Sequence, residues 1–118
     1  MRSLLIGAAA AGLIASGAQA ETAETTKDIR CVVIYSYLIG TSDDDADKRS
    51  LAIGMFYYQG RIDGREPALD YGTALKREML NIPDEAIEPE LKRCSAGLQD
   101  RSGEMEVVGK RVEAEVKP

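Results

Sequence analysis

The chain has 118 residues, 44% hydrophobic and 30% charged, with no histidine, no tryptophan and a net charge of −5 at pH 7. An acid excess disfavours nucleic acid and anionic lipid, since both repel it. Without histidine the commonest general base and metal ligand is missing, so serine triads and Cys–His dyads are excluded in their usual forms.

The first twenty residues carry Arg2, an apolar run over Leu4–Ile14 and the small-residue site Ala18-Gln19-Ala20. This is the pattern of a secretory signal peptide, cleaved after Ala20. The run is too short and too glycine-rich for a membrane span of about 20 residues. Residues 21–118 are expected to form a single helical domain. Removing Arg2 leaves it 14 Lys and Arg against 20 Asp and Glu, a net charge of −6. No later apolar run reaches spanning length, so no membrane span is expected after cleavage. The expected address is the periplasm, with secretion from the cell as the alternative.

Cys31 and Cys94 are the only cysteines. An exported chain meets an oxidising compartment, which predicts one disulfide between them. It would close a loop of about 63 residues, worth about 4 kcal/mol on the chain-entropy model. Two thiols with no histidine do not make a zinc ligand set, and there is no C-x-x-C redox motif. No metal and no cofactor are expected.

Glu21–Thr26 is polar and aperiodic, which predicts a frayed segment. Lys27–Gly40 reads as a first helix, with Cys31, Ile34, Tyr35 and Leu38 on one stripe and Gly40 as its C-cap. The run Val32-Val33-Ile34 also permits a strand, but a lone strand has nothing to pair with. Asp43, Asp45 and Asp47 match the start of a calcium loop. Lys48 then stands where that loop needs glycine, and Gly54 where it needs glutamate, so a capped helix start at Thr41, Ser42 or Asp43 is the better reading.

The second helix, about Asp44 to Ile62, carries the stripe Leu51, Met55, Tyr58 and Ile62, widened by Ala52 and Phe56. It is the expected organising element, running into a glycine-punctuated corner that Pro67 closes. A third helix opens near Pro67 or Ala68 with Leu69, Gly72, Leu75 and Met79 on one face. After a break at Asn81–Asp84, a fourth carries Ile87, Leu91, Cys94 and Leu98. Pro89 falls either in its first turn or at a kink. Arg101-Ser102-Gly103 is expected to break the chain before a last helix with Met105, Val108, Val112 and Val116 on one side. The fold class is therefore all-α: a small bundle of about five short helices stapled by one disulfide.

No phosphate-binding loop or nucleotide fingerprint is present, and carboxylate pairs such as Glu85/Glu88 read as solvated helix faces. No enzyme activity and no catalytic residues are expected. The polar cluster Arg61, Asp63, Arg65 and Glu66 has two readings. In one it is a helix C-cap, with Gly60 or Gly64 left-handed and Asp63 paired to an arginine. In the other it is an anion or partner site.

Tyr57-Tyr58-Gln59-Gly60-Arg61-Ile62-Asp63-Gly64-Arg65-Glu66-Pro67 resembles the YFxGRLDGRxP signature of small exported bacterial helical proteins. Those also carry an early cysteine and a later Arg-Cys, here Arg93-Cys94. That resemblance spans Cys31 to about Gly109 and implies a disulfide-stapled periplasmic bundle, with no assigned activity; Gln59 departs from its pattern. The architecture is also similar to HdeA-type periplasmic acid-stress chaperones, on size, export and paired cysteines. The expected function is a non-enzymatic binding protein with an envelope or stress accessory, chaperone-like role and a protein partner. The alternative is an exported immunity-type protein that neutralises a secreted toxin.

Overall fold

The computed structural model describes residues 21–118; the signal-peptide reading of residues 1–20 lies outside them. Four helices make up the described chain: α1 (Ala23–Thr41), α2 (Asp45–Arg65), α3 (Tyr71–Asn81) and α4 (Asp84–Val116). The expected all-α class and the disulfide are both present, but the helix count is four, not five. The difference lies at Arg101-Ser102-Gly103, through which α4 continues without interruption. Glycine in a helix interior costs only about 1 kcal/mol, whereas proline costs about 3, so one glycine does not end a helix. Arg101 also pairs with Glu104 at 2.8 Å across the suspected break.

α1 begins four residues before the expected start. Thr22 caps it, its Oγ1 accepting from Thr25 N–H at 3.2 Å. The segment expected to fray is thus held, and Thr25 is fully buried. Gly40 lies inside α1, and the end falls at Ser42, whose N–H donates to the Leu38 carbonyl. Asp44, one residue past the expected caps, starts α2 by accepting from Ala46 and Asp47 N–H at 2.7 and 3.1 Å. Asp45 and Asp47 then sit on the positive end of the helix dipole. α3 is capped by Asp70 and so begins later than expected. α4 starts at Asp84, which places Pro89 beyond its first turn.

α1, not α2, is the element around which the chain is organised: it packs against each of the other three helices. It contributes Ile29, Cys31, Val32 and Tyr35 to the core, met by Tyr58 and Ile62 from α2, Ala74 from α3 and Cys94 from α4. Cys31 and Cys94 are bonded, with Cα atoms 5.7 Å apart. Tyr35 stacks on Tyr58 with ring centroids 6.1 Å apart, and its ring lies directly over Gly54, where a Cβ would come within 2.8 Å. The missing side chain there lets α1 and α2 approach closely.

Two predicted stripes are displaced. Phe56 is exposed on the outer side of α2. In α3 the inward residues are Tyr71, Ala74, Leu75 and Glu78, while Met79 is 68% exposed. Leu69 lies outside α3, and the buried set falls one residue away from the expected stripe, a rotation of about 100° that the packing against α1 decides. Of the expected α4 stripes, Ile87, Leu91, Cys94 and Leu98 are buried or partly buried, whereas every residue from Arg101 onward is exposed.

Candidate binding surfaces

The motif Gly60–Pro67 is helical as far as Arg65, and among the described residues no glycine has a positive φ. Gly60 and Gly64 therefore form no left-handed cap. The helical geometry throws Arg61 and Arg65, four residues apart, onto one side of α2. Both reach Asp28 of α1. Arg61 Nε donates to Asp28 Oδ2 at 3.0 Å, and Arg65 donates to the same oxygen through both terminal nitrogens at 3.2 Å. Arg65 also donates to Thr25 Oγ1 at 3.0 Å. The Asp28 side chain is only 3% exposed.

Glu66 joins the same cluster by accepting from Thr22 N–H at 3.0 Å, and that hydrogen bond holds its carboxyl below the usual range. Asp63 does not join: it faces α3 and accepts from the Tyr71 hydroxyl at 2.7 Å. The four predicted corner residues thus split, three toward the start of α1 and one toward α3. Within the cluster Arg61 and Arg65 balance Asp28 and Glu66 in charge. The hydrogen bond to Asp28 raises the pKa of Arg61, and its guanidinium lies 5.9 Å from the Tyr57 ring centroid.

A second buried carboxylate repeats the arrangement. Glu78 of α3 accepts from Arg30 Nε at 2.9 Å and from Arg77 Nε at 3.1 Å. Arg77 also pairs with Glu21 at 2.6 Å. Burial opposes the Arg77 charge, but its hydrogen bonds to Glu21 and Glu78 outweigh that and raise its pKa. Arg93, the first residue of the Arg-Cys pair, donates to the Lys27 carbonyl at 3.0 Å, beside the disulfide. Sequence reasoning missed Asp28, Glu78 and this role of Arg93. A signal existed for the first two: each is a charged residue on the apolar stripe of its own helix, and such residues stay buried only when paired.

A shallow cleft, where Arg61, Tyr57 and Phe56 of α2 face Asp100, Arg101 and Glu104 of α4, is open to a ligand, and so is an apolar groove. Val33, Ile34 and Tyr37 of α1, Leu75 and Met79 of α3, and Ile82 and Ile87 around the start of α4 line the groove, which has a volume of about 400 Å³. Ser36 and Asp84 supply its polar edge. Met79 and the neighbouring Leu80, 75% exposed, extend the apolar surface outward from it. Among the described residues no cluster of His, Cys, Asp or Glu is arranged to hold a metal ion. No helix of the described residues is long and apolar enough to cross a membrane. Comparison with protein-family models, with curated proteins and with solved structures finds no match.

Proposed function

We propose that this is a non-enzymatic binding protein of the bacterial envelope, exported to the periplasm, which captures apolar segments of other proteins in a chaperone-like role. The observation that carries the reading is the groove between α1, α3 and the start of α4. It presents aliphatic, methionine and tyrosine side chains on a frame fixed by the disulfide, which suits it to apolar side chains of varied shape. At neutral pH Asp84 at its edge and the acidic domain favour a segment that also carries Lys or Arg, a preference that acid removes and that leaves the apolar lining to act there. The signal-peptide pattern and the resemblance of Tyr57–Pro67 to small exported helical proteins support the address.

Acid is the condition under which such a role would be called on. Asp28 and Glu78 tie α1 to α2 and to α3 through three arginines, Arg61 and Arg65 on Asp28 and Arg30 on Glu78. Acid strong enough to neutralise all the carboxylates leaves the domain with about +14 from its Lys and Arg side chains. Repulsion then loosens the helices, while the disulfide still holds α1 to α4 and the groove widens.

The test is aggregation of an acid-denatured client across pH 2–7 with the disulfide intact, alongside binding of an apolar dye. Protection that is lost in Met79→Lys and Ile87→Lys, which stay charged across the whole pH range, with melting temperature little changed, supports the reading. Absence of protection at every pH overturns it. Capture of one tight, neutral-pH partner with no client protection would favour the immunity-type alternative.

A further inference from the structure

Every residue of α4 beyond Asp100 is exposed; Arg101 and Glu104 still edge a cleft shared with Phe56, Tyr57 and Arg61 of α2, and past Glu104 no residue is buried against another helix. An isolated helix of this length is marginal in water. Its ion pairs, Glu106–Lys110, Arg111–Glu115 and Glu113–Lys117, are exposed and individually weak. Yet the segment carries an apolar line, Met105, Val108 and Val112, at spacings of three and four. These are successive inward positions of a coiled-coil heptad.

We infer that this segment is a self-association site, in which the distal part of α4 pairs antiparallel with that of a second copy of this chain. The choice of partner and direction comes from charge. From Arg101 to the end of the chain, four basic residues balance four glutamates, so the segment is neutral on an acidic protein and two copies meet here without net repulsion. With Met105, Val108 and Val112 inward, Glu104 and Arg111 occupy one flank, and Ser102 and Gly109 the other. A parallel pair would set Glu104 against Gly109 and Arg111 against Val116, with no attraction. An antiparallel pair sets Glu104 of each copy against Arg111 of the other, twice by symmetry, and Met105 against Val108. The small flank at Ser102 and Gly109 lets the backbones come close; nothing lies within 4 Å of a Cβ built at Gly109. Two such short helices bury less than the roughly 1,200 Å² of a stable complex, so the dimer is weak and concentration-dependent.

Sedimentation equilibrium of the disulfide-bonded protein over a wide concentration range, at low salt, tests this. A monomer–dimer equilibrium is expected. Val108→Glu should raise the dissociation constant at least tenfold without moving the melting temperature, because Val108 supports nothing else. Glu104→Arg and Arg111→Glu should each weaken the dimer at least threefold, and the double exchange should restore it. A protein that stays monomeric throughout overturns the inference. So does a dimer indifferent to Val108→Glu and to the charge exchange, or one lost only on Met79→Glu, which would place the interface in the apolar groove.

Discussion

Tyr58 donates its hydroxyl proton to the backbone carbonyl of Cys94 at 2.6 Å, so the core tyrosine of α2 is fastened to the residue through which α4 is bonded to α1. Burial pushes the Tyr58 hydroxyl up to about 12, and it remains a donor throughout the physiological range. Gly97 makes room for it: a Cβ there would lie 2.7 Å from the hydroxyl oxygen. Tyr58→Phe removes the second of the two donors to that carbonyl, which keeps its own helical bond within α4, and should cost about 0.5–1.5 kcal/mol. Gly97→Ala should be destabilising as well, by displacing the same hydroxyl. Urea unfolding of the oxidised protein measures both.

The disulfide joins the two helices that hold the core from opposite ends of the sequence. Cys94→Ser should lower stability by about 2–5 kcal/mol. Mass measurement after thiol labelling of non-reduced protein should show no labelled cysteine.

The buried ion cluster predicts an order of effects. Asp28→Ala leaves two arginines without their partner and should destabilise by about 1–3 kcal/mol, less than breaking a fully buried pair because water reaches both guanidinium groups. Arg65→Ala should cost more than Arg61→Ala, since Arg65 engages both Asp28 and Thr25 and its side chain is 29% exposed against 40%. Asp63→Asn should be nearly neutral, because an amide oxygen can still accept from Tyr71. Thermal melts of the four variants check the order; equal losses from Arg61→Ala and Asp28→Ala would contradict it.

Glu66 supplies a pH dependence. Its hydrogen bond from Thr22 N–H lowers its folded pKa below the ordinary value of 4.5. Between the two values the unfolded chain binds more protons, so the stabilisation is complete above 4.5 and is lost as pH falls through the folded value. Asp70, lowered by its hydrogen bonds from Thr73, acts in the same direction below 3.8. Glu66→Gln should therefore melt below the parent at neutral pH, with the difference vanishing in acid. A difference that persists in acid would show that the contact acts through something other than charge.

Helical glycines separate by what surrounds them. Gly54→Ala drives a methyl group into the Tyr35 ring and should destabilise, against alanine's better helix propensity. Gly60→Ala and Gly64→Ala meet nothing within 4 Å in a helical backbone and should each stabilise by about 0.5–1 kcal/mol. Destabilisation at Gly60 or Gly64 would restore the left-handed turn expected from the sequence.

Local chemistry was legible in the sequence wherever it acts within a few residues. Periodicity alone identified the helical class, the inward line Ile87–Leu91–Cys94–Leu98 and the stripe Tyr58–Ile62, because a helix repeats every 3.6 residues whatever packs on it. The cysteine pair followed from there being only two. Tertiary structure decided what depends on residues far apart. Asp28 meets Arg61 and Arg65 across 33 and 37 positions, and no local pattern distinguishes that pairing from an arginine capping its own helix. The dominance of α1 emerges only when three helices bury different sides of it. The bareness of distal α4 is likewise a tertiary fact: Met105, Val108 and Val112 read like any core stripe, and whether a stripe is covered depends on where the rest of the chain goes.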